Sequence, residues 1–557
     1  MQKICKQCAS NFEITDSDLA FYDKISPAFN GVKCSLPPPT LCSDCRRQRR
    51  LAWRNERHLY HRKCDATGED IITVYHPKSD IQAYHHKLWW SDSWNVKEYA
   101  RDIDFSRSFF DQLDDLRRAV PRPSLMVMGN ENSDYVNHCG YSKNCYLSFN
   151  TDYSENCFYS SNCLRSKDSY DLFNCEACEL CYDSNDLKDC YQVIRSSNCQ
   201  NCSELYFCDD MIGCRDCFGC KNLRNKQYYF FNEKLSSDEY KKKIQTIMDG
   251  SSTKYYDISQ QCVAHMLTLP YRFLHIVQCE NVSGDYLENC RNTLYCFDSF
   301  NDQDVAYSTV LSDCKDTYDF DIGGYNCELC YEMVSAGDRD YHCLFCMNIW
   351  GNAIDCFYCD IGIRIKNCFG CIGLRDSEYC ILNKQYTKEE YELLVPKIIE
   401  LMKQYDEWGE FQGMRHSLYS YNETLSQSYF PLTETEATNL GLEWRQKDVR
   451  EFQAQTFTPP DNIFEVPDSL VKEVFSCGSC SKNFKVLSQE LAFYKQHFLP
   501  LPKDCPDCRH MQRIQRRNPV KLWERSCSKC GIEMKTSYSP EKPEMVYCEK
   551  CYLDSVY

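Results

Sequence analysis

The chain contains no apolar run of the roughly 18 residues that a membrane span needs, and its opening MQKICKQCAS has no apolar core of a secretory signal. It also lacks a Gly-rich phosphate loop, a nucleophile elbow and a HExxH pair, the short patterns that carry nucleotide, hydrolase and metalloprotease chemistry. The 12 histidines cluster mainly towards the N-terminus, among them His58, His61, His76, His85 and His86, in none of those patterns. These absences favour a cytoplasmic protein that is not an enzyme. What the sequence has instead is cysteine, 42 of 557 residues. In a reducing compartment, regularly spaced thiols read first as metal ligands and only second as disulfides. The length allows roughly three or four domains, and a hydrophobic content of 43% excludes a wholly disordered chain.

Charge is unevenly spread. The whole chain carries −17, yet residues 5–62 hold ten Lys/Arg against six Asp/Glu, and residues 472–535 hold thirteen against six. Two basic ends flank an acidic middle.

The ends are copies of each other. CKQCASNFEITDSDLAFYDK from Cys5 aligns with CGSCSKNFKVLSQELAFYKQ from Cys477 at an offset of 472, and CSDCRRQRRLAWRN from Cys42 aligns with CPDCRHMQRIQRRN from Cys505 at an offset of 463. Two CxxC knuckles separated by a loop have the spacing of a zinc ribbon, in which four thiolates close a tetrahedral site without an open position. These strings resemble the probable zinc-binding domain found in uncharacterised bacterial proteins. That resemblance implies Cys5, Cys8, Cys42 and Cys45 as one ligand set and Cys477, Cys480, Cys505 and Cys508 as another, with Cys34 left over. Over its whole length the chain is similar to uncharacterised cysteine-rich proteins of candidate-phylum bacteria, which implies no activity. The 463 offset continues into a second C-terminal ribbon with Cys527, Cys530, Cys548 and Cys551, whose N-terminal counterparts are Cys64, Thr67, His85 and Leu88. The degenerate copy is expected to be metal-free and held by packing, with Trp89 and Trp90 supplying buried area.

Arginines follow each first ribbon at helical spacing: Arg46, Arg50 and Arg54, and Arg509, Arg513 and Arg517. Such helices could lie along a nucleic-acid backbone. The alternatives are a solvated face, or docking on the acidic middle of the same chain.

In the middle, 14 cysteines from Cys139 to Cys220 are separated only by multiples of three. Every third residue from Ser133 to Leu223 is Cys, Ser, Thr, Leu, Val or Met, never charged or aromatic, which describes an interior column of small side chains. Superposed on it, Tyr146, Phe158, Tyr170, Tyr182, Ile194, Tyr206, Phe218 and Phe230 recur every 12 residues, beside Asn150, Asn162, Asn174, Asp186, Asn198, Asp210 and Asn222. The fold expected is mainly β: a duplicated β-solenoid of 12-residue period, with Asn/Asp at left-handed corners, capping helices, and zinc ribbons at both ends. Period and interior resemble the insect antifreeze solenoid, although the outer Thr-x-Thr array is missing.

The second half repeats the first at an offset of 151: Cys139 with Cys290, CYLSFN from Cys145 with CFDSFN from Cys296, and CFGCKNLR from Cys217 with CFGCIGLR from Cys368. The gaps 314 to 327, 330 to 343 and 346 to 356 break the rule of three. Capping boxes at Ser236-x-x-Glu239 and Thr387-x-x-Glu390 start a helix after each half.

The domains read as a ribbon with basic helix (1–60), a degenerate ribbon (61–95), a helical linker (96–132, with an amphipathic helix over 97–119), solenoid halves at 133–250 and 280–400, a linker (401–471), a ribbon with basic helix (472–520) and a second ribbon (521–557). All 14 cysteines of each half are assigned to the repeat, where they are expected to be reduced and buried. Metal binding by Cys175, Cys178 and Cys181 or by Cys214, Cys217 and Cys220 is the second reading, and disulfides between positions six apart, such as Cys139 with Cys145 or Cys157 with Cys163, the third. The function expected is a zinc-binding, non-catalytic scaffold whose acidic, aromatic-striped face binds a protein partner. A nucleic-acid-associated protein is the alternative, and a thiol-based metal store or redox protein comes third.

Overall fold

The computed structural model describes residues 1–335, 337–446 and 452–556. The chain is strand-rich and divides into two compact units, each assembled from two separated segments. The first unit joins Met1–Leu125 to Leu274–Gln446; the second joins Met126–Phe273 to the described residues from 452 onward. The domains expected in linear succession are thus gathered differently, with the N-terminal modules in the unit of the second repeat half and the C-terminal modules in the unit of the first.

In the second unit, parallel strands pair at a constant separation of 12 residues, as in Phe149↔Ser161, Tyr170↔Tyr182 and Arg215↔Gln227. The inward positions Cys139, Ser142, Cys145, Ser148 and onward to Cys220 are buried. Their small polar groups close the backbone of the narrow interior. Ser148 Oγ donates to the carbonyls of Tyr146 and Cys157 and accepts from the Ser160 N–H. The Cys139 thiol does the same, donating to the Asn137 and Ser148 carbonyls and accepting from Thr151 N–H at 3.4 Å. Cys and Ser share this column because each is small and offers both a donor and an acceptor.

The corners differ from expectation. The left-handed conformation occurs not once per coil but at every third residue, and the sites hold Tyr141, Leu147, Tyr153 and Arg165 as well as Asn144, Asn150, Asn156 and Asn162. Each costs an L-residue roughly 1–2 kcal/mol. The compensation is a bond between coils: the N–H groups of Asn144, Asn150 and Asn156 donate to the carbonyls of Glu131, Asn137 and Lys143. Side chains extend the bonding in two ladders, the expected Asn150 to Asn162 at 2.8 Å and a second one, Asn132 to Asn144 to Asn156 to Asp168.

The first unit holds the less regular repeat, and the structure explains its broken gaps. Thr317↔Cys330, Tyr331↔Leu344 and Cys343↔Cys356 are 13 apart, so three successive coils each carry one extra residue. Beyond them the separation returns to 12, at Cys356↔Cys368. The offset of 151 therefore holds only after these insertions.

Two further expectations change. Residues 97–119 are not one helix: a single 3-10 turn spans Val96–Tyr99, and the α-helix begins at Phe109, capped by Ser108. Cys262 lies in the helix Ser252–Met266 rather than in the repeat. The capping boxes at Ser236 and Thr387 start the helices Ser237–Ile247 and Lys388–Gln404. The segment read as a linker is packed at both ends, with Trp408 and Phe411 buried in the first unit and Ile463, Val466 and Leu470 in the second.

Candidate metal centres and arginine clamps

All four terminal modules are built alike. A short hairpin presents the first knuckle at its tip: Gln2–Ile4 with Asn11–Glu13, Tyr60–Lys63 with Asp70–Thr73, Phe475–Ser476 with Asn483–Phe484, and Trp523–Ser526 with Glu533–Thr536. The residue after the second knuckle position is left-handed in each, namely Ala9, Gly68, Ser481 and Gly531, and its N–H donates to the carbonyl of Cys5, Cys64, Cys477 or Cys527. This turn points both knuckle side chains to one side. The second pair comes from a helix start. Cys42 and Cys505 are the N-caps of Ser43–Leu51 and Pro506–Arg516, with Cys45 and Cys508 in the first turn, and Cys548 and Cys551 begin Glu549–Val556 in the same way. A helix N-terminus favours thiolate over thiol.

The geometry brings the 12 expected cysteines together as three groups of four, with every Sγ in a group within 4.8 Å of the others. The Sγ atoms of Cys8 and Cys42, Cys480 and Cys505, and Cys530 and Cys548 are 3.7, 3.7 and 3.8 Å apart. A metal at about 2.3 Å from four tetrahedral sulfurs would set edges of about 3.8 Å. The groups therefore fit a metal ion with no position left for water. Cys42 is pushed down to about 5, chiefly by its hydrogen bond with the Cys45 thiol. Burial works to raise Cys527, but the Cys548 and Cys530 backbone N–H groups bring it down to about 6.

The fourth module keeps the scaffold without the tetrad. Cys64 is buried and its sulfur accepts the His85 N–H at 3.3 Å, the same bond that Cys527 receives from Cys548 at 3.2 Å. Thr67, in the place of Cys530, hydrogen-bonds that sulfur. His85 caps the helix His86–Trp89 through its ring. Trp89 is buried, donates from Nε1 to the Pro121 carbonyl at 2.7 Å and meets Trp90 edge to face. Cys34 lies outside every tetrad.

The arginine helices turn inward, onto the repeat of their own unit. Arg46 and Arg50 are buried against Asp319, Asp321 and Glu332, with Arg50 Nε 2.7 Å from Asp321 and its Nη1 2.9 Å from Asp319. In the second unit, Arg509 and Arg513 are buried against Asp171, at 3.0 and 2.7 Å. Arg54 lies past the helix end, paired with Glu56, and Arg517 caps its helix while pairing with Asp186. These guanidiniums are paired with carboxylates, and of the three readings of the helices, docking on the acidic repeat is the one observed for Arg46, Arg50, Arg509, Arg513 and Arg517.

The Leu-Ala-Phe-Tyr motif supplies the apolar half of the same clamp. Phe21 stacks on Tyr318 at 3.8 Å, and Tyr22 packs on Tyr331; in the other unit Phe493 packs on Tyr170 at 4.4 Å, and Tyr494 on Tyr182. The aromatic stripe assigned to a protein partner is thus largely covered: Phe158, Tyr170, Tyr182, Ile194 and Phe218 are buried. These contacts also fix the true correspondence of the repeats. Arg46 lies over Tyr307 beside Asp319 exactly as Arg509 lies over Tyr159 beside Asp171, an offset of 148 before the three insertions. The sequence anchors at Cys290 and Cys296 are therefore one coil side out of phase.

No protein-family model matches the chain, and no curated protein does. Among the described residues, no helix is long and apolar enough to cross a membrane.

Proposed function

We propose that the chain is a non-catalytic, cytoplasmic, zinc-stabilised scaffold: two β-solenoids of 12-residue coils, each clamped by ribbon modules akin to the bacterial zinc-binding domain. The observation that carries this reading is the closed four-thiolate geometry of the three tetrads, each joined through its own helix or hairpin to a repeat. Zinc is the metal that four thiolates in a tetrahedron favour, and a closed site is structural. The zinc would fix the knuckle against the helix start, and in the first modules that helix carries the arginines onto Asp319 or Asp171. A net charge of −17 and the pairing of those arginines speak against a phosphate backbone and favour a protein as partner.

X-ray absorption at the zinc edge tests the centre directly. Four sulfurs at about 2.3 Å, and no nitrogen or oxygen, is the expected first shell. A light-atom ligand would mean an open site and would overturn the structural assignment. No nucleic-acid mobility shift is expected at low salt; a shift that weakens steeply as salt is raised would restore the alternative.

A further inference from the structure

Stacked thiols hydrogen-bond one another at several places in the repeats, Cys163 with Cys175 and Cys330 with Cys343 among them, and one pair in the first unit is in direct sulfur–sulfur contact. Cys314 and Cys327 are both buried, and their Sγ atoms are 3.1 Å apart, closer than the 3.7–3.8 Å edges of the metal tetrads. The cause is local. They occupy the same inward column in adjacent coils, joined by the Lys315 N–H to the Cys327 carbonyl, and the extra residue of the first 13-residue coil falls just before Cys327, where Tyr325 and Asn326 are left-handed in succession. Adjacent parallel strands lie about 4.8 Å apart, within the Cα separation that a disulfide accepts. The corresponding pair in the second unit is Ser166 and Cys178, in an ordinary coil, with the Cys178 N–H donating to Ser166 Oγ at 3.4 Å. The column of the first unit continues with a buried carboxyl on each side: Asp302, which accepts the Cys314 N–H at 2.8 Å, and Asp340, which accepts the Ala353 N–H at 2.9 Å. In the second unit Ser154 stands in the place of Asp302, accepting the Ser166 N–H.

We propose that Cys314 and Cys327 are a redox-active dithiol that closes to an intercoil disulfide, with a hydroperoxide as oxidant. The sulfur of one thiol attacks the peroxide; an S–O bond forms, the O–O bond breaks, and water leaves with the thiol proton. The second sulfur displaces the hydroxyl of that sulfenic acid; the S–S bond forms, the S–O bond breaks, and a second water carries away the second proton. Two thiols lose two electrons and two protons, and one hydrogen peroxide becomes two waters. Closing the bond shortens a contact already made and leaves the coil register unchanged.

The test treats the full-length, zinc-loaded protein with stoichiometric hydrogen peroxide, blocks remaining thiols under denaturing conditions, and maps disulfide-linked peptides by mass spectrometry. The expected result is a Cys314–Cys327 link, lighter by two hydrogens, before any other interior pair. Cys314→Ser and Cys327→Ser should each abolish it, whereas Cys296→Ser should leave it. Linkage elsewhere in the repeat at equal or greater yield would overturn the proposal, as would two blocked thiols at 314 and 327 once the tetrad cysteines are oxidised. The wild-type map decides the question even if a variant fails to fold.

Discussion

The second module of each unit answers the same structural problem in two ways. Cys527, Cys530, Cys548 and Cys551 close a tetrad, while Cys64, Thr67, His85 and Leu88 hold an equivalent knuckle and helix start without one. Around the tetrad, contact with the repeat is polar: the Tyr552 hydroxyl donates to Asp210, and the Arg224 guanidinium donates to that hydroxyl at 3.2 Å. In the other module Trp89 takes the place of Tyr552, and Arg375 stacks on it at 5.1 Å while donating to its carbonyl. The module without a tetrad thus packs a large buried ring on the repeat where the other places a phenol. The Cys64 sulfur serves as a hydrogen-bond acceptor in the core of the turn, a role independent of metal.

The largest expected effect separates these two modules. A strong chelator should release a structural contribution on the order of 10 kcal/mol at the tetrad. Hydrogen exchange over 523–556 should become fast, while 60–89 stays protected. Equal loss of protection in both would mean that the degenerate module depends on metal or on its neighbours. Next come the buried ion pairs. Arg50→Ala and Arg513→Ala each strand buried carboxylates and should cost about 3–5 kcal/mol in denaturant unfolding, the former more because Arg50 faces Asp319, Asp321 and Glu332. A change under 1 kcal/mol would remove the clamp from the account. Trp89→Ala should cost about 3–5 kcal/mol, against about 1 kcal/mol for Tyr552→Phe, which loses hydrogen bonds but no packing.

The smallest effect is one of pH. Burial pushes Asp302 up to about 7, against the ordinary value of 3.8, so the folded chain binds the proton more tightly than the unfolded one. Its contribution to stability is complete below about pH 4 and is lost as pH rises towards 7. Asp302→Asn should flatten that slope for the first unit. The second unit, with Ser154 at this position, provides the comparison; an unchanged slope would show that Asp302 does not titrate there.

Much of this was legible beforehand, for reasons particular to each element. The tetrad residues are fixed by short-range chemistry, since CxxC pairs recurring at offsets of 463 and 472 have few other uses. The period of three exposes the inward column because the interior admits only small side chains. The left-handed corners were half hidden: Asn150 and Asn162 declare them, but Tyr141, Leu147 and Arg165 adopt the same conformation because bonds between coils impose it. The register suggested by the likeness of CYLSFN and CFDSFN differs by three residues from the structural one, which the contacts of Arg46 and Arg509 define. The clamps themselves join residues some 270 to 340 positions apart, such as Arg50 with Asp321 and Arg513 with Asp171, and no local pattern marks such pairs.

The central claim is that the thiols divide by role, 12 placed to hold metal and those of the columns packed without it. Native mass spectrometry of the purified chain with its metal retained counts this most directly. Three zinc ions per chain is the predicted result. A fourth ion, or a count that rises with the interior cysteines, would contradict it.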